Sequence, residues 1–230
     1  MIFDPLYIIM FIPALLLSIY AQIRVKSSYS KFSRVPTMRG VTGAQAARHL
    51  LDVSGIHDVS IELSRGFLSD HYDPRAKVLR LSEGVYAGES LASVGVAAHE
   101  AGHAIQHAQG YAPMSIRSAL VPMASLGSNL SWFLLIIGFL LASKAMISAG
   151  LLFFTFVVLF QLVTLPVEFN ASARALRALP ATGILSETEV AGARKVLSAA
   201  ALTYVAAAAT AIIQLLYFLL RAGFLGGRDE

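Results

Sequence analysis

Long uncharged apolar stretches dominate the hydrophobic pattern of the chain. Four of them, residues 5–23, 118–143, 145–167 and 196–220, contain no charged side chain and match the roughly 20 residues that cross the hydrocarbon of a bilayer. We therefore predict four transmembrane helices. The first follows Asp4 instead of a basic cluster and precedes no small-x-small site, so we expect it to remain as an anchor and not to be cleaved as a signal peptide.

Two capping boxes and one proline-free run predict helices in the more polar segments. The run from Ser90 to Ala108 contains small and apolar residues at helix-compatible spacing. The capping box formed by Ser186 and Glu189 begins a helix that can continue directly into the fourth apolar stretch. The capping boxes pair Thr42 with Gln45, at the start of an amphipathic segment that Gly55 ends, and Ser186 with Glu189.

Two short segments with strand-like patterns lie between the predicted helix that Gly55 ends and the one that begins near Ser90. Val59, Ile61 and Leu63 alternate with other residues, and KVLRLS at 77–82 gives a second strand. The intervening sequence SDHYDPR, residues 69–75, has the composition of a turn. These patterns predict a small antiparallel sheet.

The composition supports a membrane protein and restricts the possible metal ligands. Hydrophobic residues make up 56% of the 230 residues, charged residues 14%, and the mean hydropathy is +0.66. This balance is too apolar for an ordinary soluble domain of this length. Cysteine is absent, which excludes disulfides and thiolate ligands, so a bound metal would be held by histidine, aspartate or glutamate.

The positive charges lie beside the apolar stretches, which favours a membrane orientation over nucleic-acid binding, although the net charge is +4. Five basic residues lie between residues 24 and 39, within the distance over which they hold a loop on the cytoplasmic side. This orientation places the N-terminus outside and both polar segments inside. The predicted organisation is transmembrane helix 1 in residues 1–23, a larger cytoplasmic part in 24–117, transmembrane helices 2 and 3 in 118–167, a cytoplasmic segment in 168–195, transmembrane helix 4 in 196–220 and a tail in 221–230.

The segment VAAHEAGHAIQH, residues 96–107, carries the candidate chemistry. On a helix, His99 and His103 lie one turn apart on one face, so both imidazoles could reach one ion at about 2.0–2.1 Å. Glu100 lies beside that ion, where a carboxylate can take a proton from the attacking water while the metal polarises the scissile carbonyl. The alternative is a packed helix that contains two histidines by chance, which the specific spacing disfavours.

Gly102 lies inside this motif and lowers helix propensity by about 1 kcal/mol relative to alanine. Such a cost is explained if another backbone or a ligand must approach the helix closely at this position. We therefore expect a close contact at Gly102.

A catalytic zinc ion would need a third protein ligand from outside the histidine pair, and one open position. His107 follows His99 by two turns, about 12 Å along the helix, which makes joint ligation by three histidines poor and favours a polar or outer position for His107. Glu168 is the only acidic residue between Glu100 and Glu187, and it directly follows the third apolar stretch on the predicted side of the motif. A salt bridge at the membrane border is the alternative for Glu168. The other candidates are Asp70, His71 and Asp73.

Three blocks of the sequence together resemble one family of membrane proteins. They are DHYDP at 70–74, LSEGVYAGESLASVGVAAHEAGHAIQH at 81–107 and LPVEFNASARA at 165–175. With the surrounding chain, from about residue 36 to residue 200, they resemble the YugP-like neutral zinc metallopeptidase family of bacterial membranes, and more remotely the gluzincin-type membrane endopeptidases that include prenyl-protein proteases. The resemblance implies a mainly α membrane protein with a small cytoplasmic α+β gluzincin-like zinc-peptidase domain.

The resemblance also implies roles for individual residues. The remote relatives carry an aspartate four residues after the ligand glutamate, where it orients a ligand histidine; this chain has Ser172 there, and Asn170 or Ser172 could supply a weaker hydrogen bond. Related peptidases present an edge strand at the position of SDHYDPR, although these residues are equally typical of a turn. Arg174 could bind substrate or a lipid phosphate. The implied site is one Zn²⁺ per chain bound by His99, His103 and Glu168 with Glu100 as general base, and the candidates for substrate binding or for positioning the ligands are His71, Tyr72, Asp73, His107, Asn170, Ser172 and Arg174.

The implied activity is zinc-dependent hydrolysis of peptide bonds in membrane-associated or cytoplasmic-face proteins by a multi-pass protein of the bacterial cell membrane. Site-2-type intramembrane proteolysis is an alternative, but the later L-D-G ligand motif is missing and only nine residues separate Glu89 from His99. A zinc-binding membrane scaffold without turnover is a second alternative, and it would not need Glu100. The predicted partners are a peptide or protein substrate and the lipid bilayer, without nucleic acid; the oligomeric state stays open.

Overall fold

The computed structural model describes residues 4–66 and 69–224, and these residues are mainly helical. They form seven helices and three short strands. The helices are α1 (Pro5–Phe32), α2 (Gly43–Val53), α3 (Glu83–Tyr86), α4 (Leu91–Ala108), α5 (Ala112–Leu140), α6 (Lys144–Ala181) and α7 (Glu187–Arg221), and the strands are β1 (Ser60–Ser64), β2 (His71–Asp73) and β3 (Val78–Ser82).

Four of these helices, α1, α5, α6 and α7, are long and apolar enough to cross a membrane, as predicted from the four apolar stretches. Two of them extend well beyond the predicted ends. Helix α1 continues past residue 23 to Phe32, so the first basic residues lie on the helix and not in a loop. Helix α6 continues past residue 167 to Ala181, so the residues after the third apolar stretch are carried on the same helix as the stretch itself.

Local sequence signals set the ends of the shorter helices as predicted. Thr42 accepts a hydrogen bond from the backbone N–H of Gln45, and the Gln45 side chain accepts one from the Thr42 N–H, which completes the capping box of α2. Gly55 follows this helix with φ of 72°, in the left-handed region that favours glycine. Helix α4 matches the predicted run, with Ser90 as its N-cap residue. The second capping box also forms, and α7 runs from it without a break into the fourth apolar stretch.

The three strands form one sheet in the order β1-β3-β2. Strand β2 pairs antiparallel with β3, whereas β1 and β3 pair in parallel. The prediction that the two recognised strands are antiparallel neighbours is therefore wrong. The reason is that SDHYDPR contains a strand as well as a turn: β2 reverses the chain after β1, so β3 returns in the direction of β1.

The chain divides into two compact units, each with its own buried cluster. In the described residues, one unit spans 4–20, 115–165 and 203–224, and its core is made by side chains of α5, α6 and α7. The other spans the described part of 21–114 together with 166–202, and its core joins α2, α4 and β3 to parts of α6 and α7. This second unit contains the sheet, the HEAGH motif of residues 99–103 and the residues that follow the third apolar stretch.

Candidate metal centre

His99, His103 and Glu168 form a cluster whose ligand atoms all lie within 4.8 Å of one another. Nε2 of His99 lies 3.1 Å from Oε2 of Glu168, and Nε2 of His103 lies 3.5 Å from the same oxygen. The two imidazoles stand one turn apart on α4, as their spacing predicts, with ring centroids 4.7 Å apart. In residues 4–66 and 69–224 this is the one group of three or more histidine and acidic side chains close enough to share an ion.

The geometry of this three-residue cluster fits a zinc ion. A tetrahedral ion with ligands at about 2.0–2.1 Å separates its ligand atoms by roughly 3.3 Å, close to the two separations above. Two imidazole nitrogens and one carboxylate are a donor set of catalytic zinc sites, which keep one position for water or substrate. The cluster thus has the atoms, the spacing and the shelter from solvent that such a site requires.

The electrostatics of the cluster favour positive charge. Glu168 is 2% exposed, and a carboxylate so deeply buried needs a cationic partner because an isolated buried charge is costly. Burial by itself lowers the pKa of His103, but the carboxylates of Glu168 and Glu100 outweigh this effect and raise the pKa. The site therefore attracts protons or a metal cation.

Helix α6 reaches the histidines because it passes very close to α4 at Gly102. A Cβ atom at this position would lie 2.7 Å from the carbonyl oxygen of Ala171 and 3.3 Å from its Cα. Cβ atoms essentially never come so near a backbone oxygen, so a larger residue would force the two helices apart. The expected close approach of another backbone at Gly102 is confirmed, and the approaching helix is the one that carries Glu168.

Replacing Gly102 by alanine is expected to weaken zinc binding, although alanine favours a helix by about 1 kcal/mol over glycine. The added methyl group would displace the carboxylate of Glu168 from the imidazoles. Chelator competition on the purified full-length protein measures this affinity. Gly84→Ala is the control, because a Cβ there meets only the Tyr29 hydroxyl at 3.5 Å. An affinity unchanged by Gly102→Ala would show that this close approach does not position the ligand.

The second nitrogen of each imidazole has a hydrogen-bond partner. Nδ1 of His99 lies 3.0 Å from the hydroxyl of Ser172. Nδ1 of His103 lies 3.0 Å from Oε1 of Gln106, on the same helix. Gln106 is a residue that the sequence analysis missed. Its position three residues after His103 could have indicated a contact with that imidazole. Its other hydrogen-bond partners are distant in the sequence and could not have been predicted.

Asn170 and Arg174, two of the predicted candidates, continue the hydrogen bonds of Gln106 along α6. Oδ1 of Asn170 lies 2.9 Å from Nε2 of Gln106 and 2.6 Å from Nε of Arg174. The guanidinium of Arg174 also donates to Oε1 of Gln109 and lies over the ring of Tyr111. These contacts connect Arg174 to the protein itself, and its role toward substrate or lipid phosphate stays a prediction.

Glu100 lies next to His99 on α4 and is 8% exposed. In the part of the chain that the structure describes, no side chain donates a hydrogen bond to its carboxylate or forms an ion pair with it. The carboxylate is therefore available to accept a proton from a water molecule.

Tyr72 and His107 connect β2 to α4. The hydroxyl of Tyr72 lies 2.8 Å from Nδ1 of His107. Burial, together with the carboxylates of Asp58 and Asp73, raises the pKa of Tyr72 to about 12, so this hydroxyl stays protonated at neutral pH. His107 is exposed and lies outside the three-residue cluster, in agreement with its distance along the helix.

The other candidates upstream of α4 take part in local structure. Asp73 accepts hydrogen bonds from two backbone N–H groups of the following turn. Asp70 accepts hydrogen bonds from the backbone N–H and the hydroxyl of Ser82, and Nδ1 of His71 contacts a backbone carbonyl. These three residues lie outside the metal cluster. A substrate-facing role for His71, Tyr72 and Asp73 stays a prediction.

Comparison with known proteins places nearly the whole chain in one family. The family model described as "Putative neutral zinc metallopeptidase" matches residues 7–223. The "Putative membrane protease YugP" of Bacillus subtilis (strain 168) is 47% identical over 225 residues, which cover 98% of this chain and 99% of that protein. No solved structure matches the chain significantly. Because the match includes the apolar helices and the histidine-glutamate cluster alike, the chain belongs to this family of neutral zinc metallopeptidases.

Proposed function

We propose that the protein is a membrane-bound zinc metalloendopeptidase in which His99, His103 and Glu168 bind one zinc ion and Glu100 is the general base. The observation that carries this proposal is the meeting of the three ligand side chains from α4 and α6 in one sheltered cluster. Glu100 favours catalysis over a scaffold role, because a purely structural metal site would not need a further carboxylate beside it.

The proposed reaction is hydrolysis of a peptide bond. When bound, zinc would polarise the scissile carbonyl and make water a nucleophile at neutral pH. Glu100 accepts a proton from the attacking water as its oxygen forms a bond to the carbonyl carbon. Glu100 then donates this proton to the amide nitrogen as the C–N bond breaks. The products are a carboxyl group and an amine, and the carboxylate of Glu100 is restored.

The proposed docking site for the substrate is the edge of β2 opposite β3. This strand lies at the end of the sheet order β1-β3-β2, and an extended peptide can add to such an edge through main-chain hydrogen bonds. The contact between Tyr72 and His107 holds β2 against the helix that carries the histidine pair. This arrangement favours an extended substrate over an intact transmembrane helix, and so favours cleavage of water-exposed peptides over intramembrane cleavage of the site-2 type.

Zinc content and peptide cleavage together test the proposed function. We expect the purified full-length protein in detergent micelles to contain about one zinc ion per chain and to cleave extended water-exposed peptides. A chelator should abolish cleavage, and added Zn²⁺ should restore it. Stoichiometric zinc without cleavage of any peptide in a broad panel would favour the scaffold, and cleavage only of helical segments within lipid would favour the site-2 type. Protein that binds no zinc would contradict the proposal.

We further propose that the metal centre faces the cytoplasm, because five basic residues follow the first apolar stretch. The chain contains no cysteine, so a single introduced thiol reports its own side of the membrane. In intact cells, a thiol reagent that does not cross the membrane should label Lys144→Cys and leave Arg65→Cys unlabelled until the cells are opened. Both positions are exposed basic residues. The opposite labelling pattern would invert the proposed orientation.

A further inference from the structure

Gln106 is fully buried and makes three side-chain hydrogen bonds. Its Oε1 lies 3.0 Å from Nδ1 of His103. Its Nε2 lies 2.8 Å from the backbone carbonyl of Val167 and 2.9 Å from Oδ1 of Asn170. All polar atoms of this side chain are thus directed at defined partners, one of which is a proposed metal ligand.

The hydrogen bonds of Gln106 end at two groups whose roles are fixed, Arg174 and the carbonyl of Val167. These two groups determine which atom donates in each hydrogen bond between them and His103. The guanidinium of Arg174 can only donate, so the Asn170 atom 2.6 Å away must be an oxygen. The carbonyl of Val167 can only accept. The NH₂ group of Gln106 must therefore face both acceptors, and its oxygen must face His103. An oxygen at this position accepts a hydrogen bond, so Nδ1 of His103 carries a proton.

We infer that Gln106 is a positioning residue that fixes His103 in the Nδ1–H tautomer and leaves the lone pair of Nε2 directed toward the metal. This inference rests on the proposed zinc site. The Nε2 atom is the one that faces Glu168, at 3.5 Å. An imidazole with its proton on Nε2 could not bind a metal through that atom, so fixing the tautomer removes a competing state before the metal arrives.

The other imidazole has no such constraint from its partner. The Ser172 hydroxyl, 3.0 Å from Nδ1 of His99, can either donate or accept. It therefore orients the ring of His99 without determining which nitrogen carries the proton. The two ligand histidines are consequently unequal, and loss of the Gln106 contact should affect metal binding more than Ser172→Ala does.

Two substitutions at Gln106 separate positioning from simple packing. Gln106→Met keeps the length of the side chain and removes all three hydrogen bonds. Gln106→Glu also loses the NH₂ donor to Val167 and Asn170, but it keeps an oxygen that accepts from Nδ1–H. The control for the first substitution is Gln214→Met, the same change on α7, and folding of every variant is checked by its thermal unfolding midpoint in the metal-free state.

Zinc affinity is measured by chelator competition on the full-length protein. We expect Gln106→Met to weaken zinc binding roughly 10- to 100-fold, the usual effect of losing an outer partner of a ligand histidine. Gln106→Glu and Gln214→Met should stay close to the wild-type affinity. The inference is overturned if Gln106→Met binds zinc as tightly as wild type, or if Gln106→Glu is weakened as much as Gln106→Met, since packing would then explain the result.

The tautomer itself is measured on the wild-type protein, which removes any dependence on a variant that folds poorly. In zinc-loaded protein labelled with ¹⁵N-histidine, the His103 ring should show a proton on Nδ1 and metal ligation at Nε2. A proton on Nε2, or ligation through Nδ1, would refute the role of Gln106 while leaving the zinc site intact. Wild-type protein that binds no zinc would instead refute both the inference and the proposed function.

Discussion

Glu100→Gln is expected to retain about one zinc ion per chain and to lower kcat by roughly 10²- to 10⁴-fold, the usual contribution of a general base. Glutamine keeps the size and hydrogen-bonding shape of the side chain, but its amide cannot take a proton from water. The ligands stay in place because Glu100 lies outside the three-residue cluster. Metal analysis and steady-state cleavage of the same peptide, measured on one preparation, check both parts of this prediction.

The matched control for this substitution is Glu187→Gln, which makes the same change at an exposed position on α7. It should leave both zinc content and kcat unchanged. Undiminished cleavage by metal-replete Glu100→Gln protein would show that another group accepts the proton. Loss of zinc from this variant would show that Glu100 is itself a ligand.

Glu168→Gln is expected to lower zinc affinity more than roughly 100-fold, beyond the effect of losing an outer hydrogen-bond partner. The carboxylate is the one anionic group of the cluster, and a neutral amide oxygen attracts the cation far less. Peptide cleavage should fall in parallel at limiting zinc and return partly when zinc is raised. Chelator competition and cleavage titrated against free Zn²⁺ check this prediction.

Glu168→Asp provides a sharper test of the geometry at Glu168. It keeps the charge but shortens the side chain by one methylene, so the oxygen that lies 3.1 and 3.5 Å from the two imidazoles would be drawn back toward α6. We expect zinc affinity between those of wild type and Glu168→Gln. If all three proteins bind zinc equally, the third ligand is some other residue.

The sequence predicts the parts of the site that depend on local spacing. His99 and His103 meet because residues four apart share a helix face, and this holds wherever α4 packs. Glu168 is predicted as the third ligand because acidic residues are scarce in that part of the chain and because it directly follows an apolar stretch. Gly102 stood out because glycine is costly inside a helix, and the contact with Ala171 explains that cost.

The parts that were missed depend on pairing between distant segments. An alternating pattern indicates that Ile61 and Leu63 lie in a strand, but it does not specify the neighbouring strand or its direction. A three-residue strand such as β2 is too short to show a period at all. The role of Gln106 could not be predicted for the same reason. Its partners Val167 and Asn170 lie 61 and 64 positions away, and only the packing of α6 on α4 brings them to it.

On the proposed ligand set, the order of the donors along the chain also determines when the metal centre can be completed during synthesis. A ribosome that has translated as far as the third apolar stretch has already made both imidazoles and the base, but the anionic donor follows 69 residues after the first histidine. A nascent or truncated chain without α6 therefore carries a recognisable motif and an incomplete centre. On the proposed mechanism, hydrolysis requires that helix to be made and packed, so an unfinished chain would be inactive.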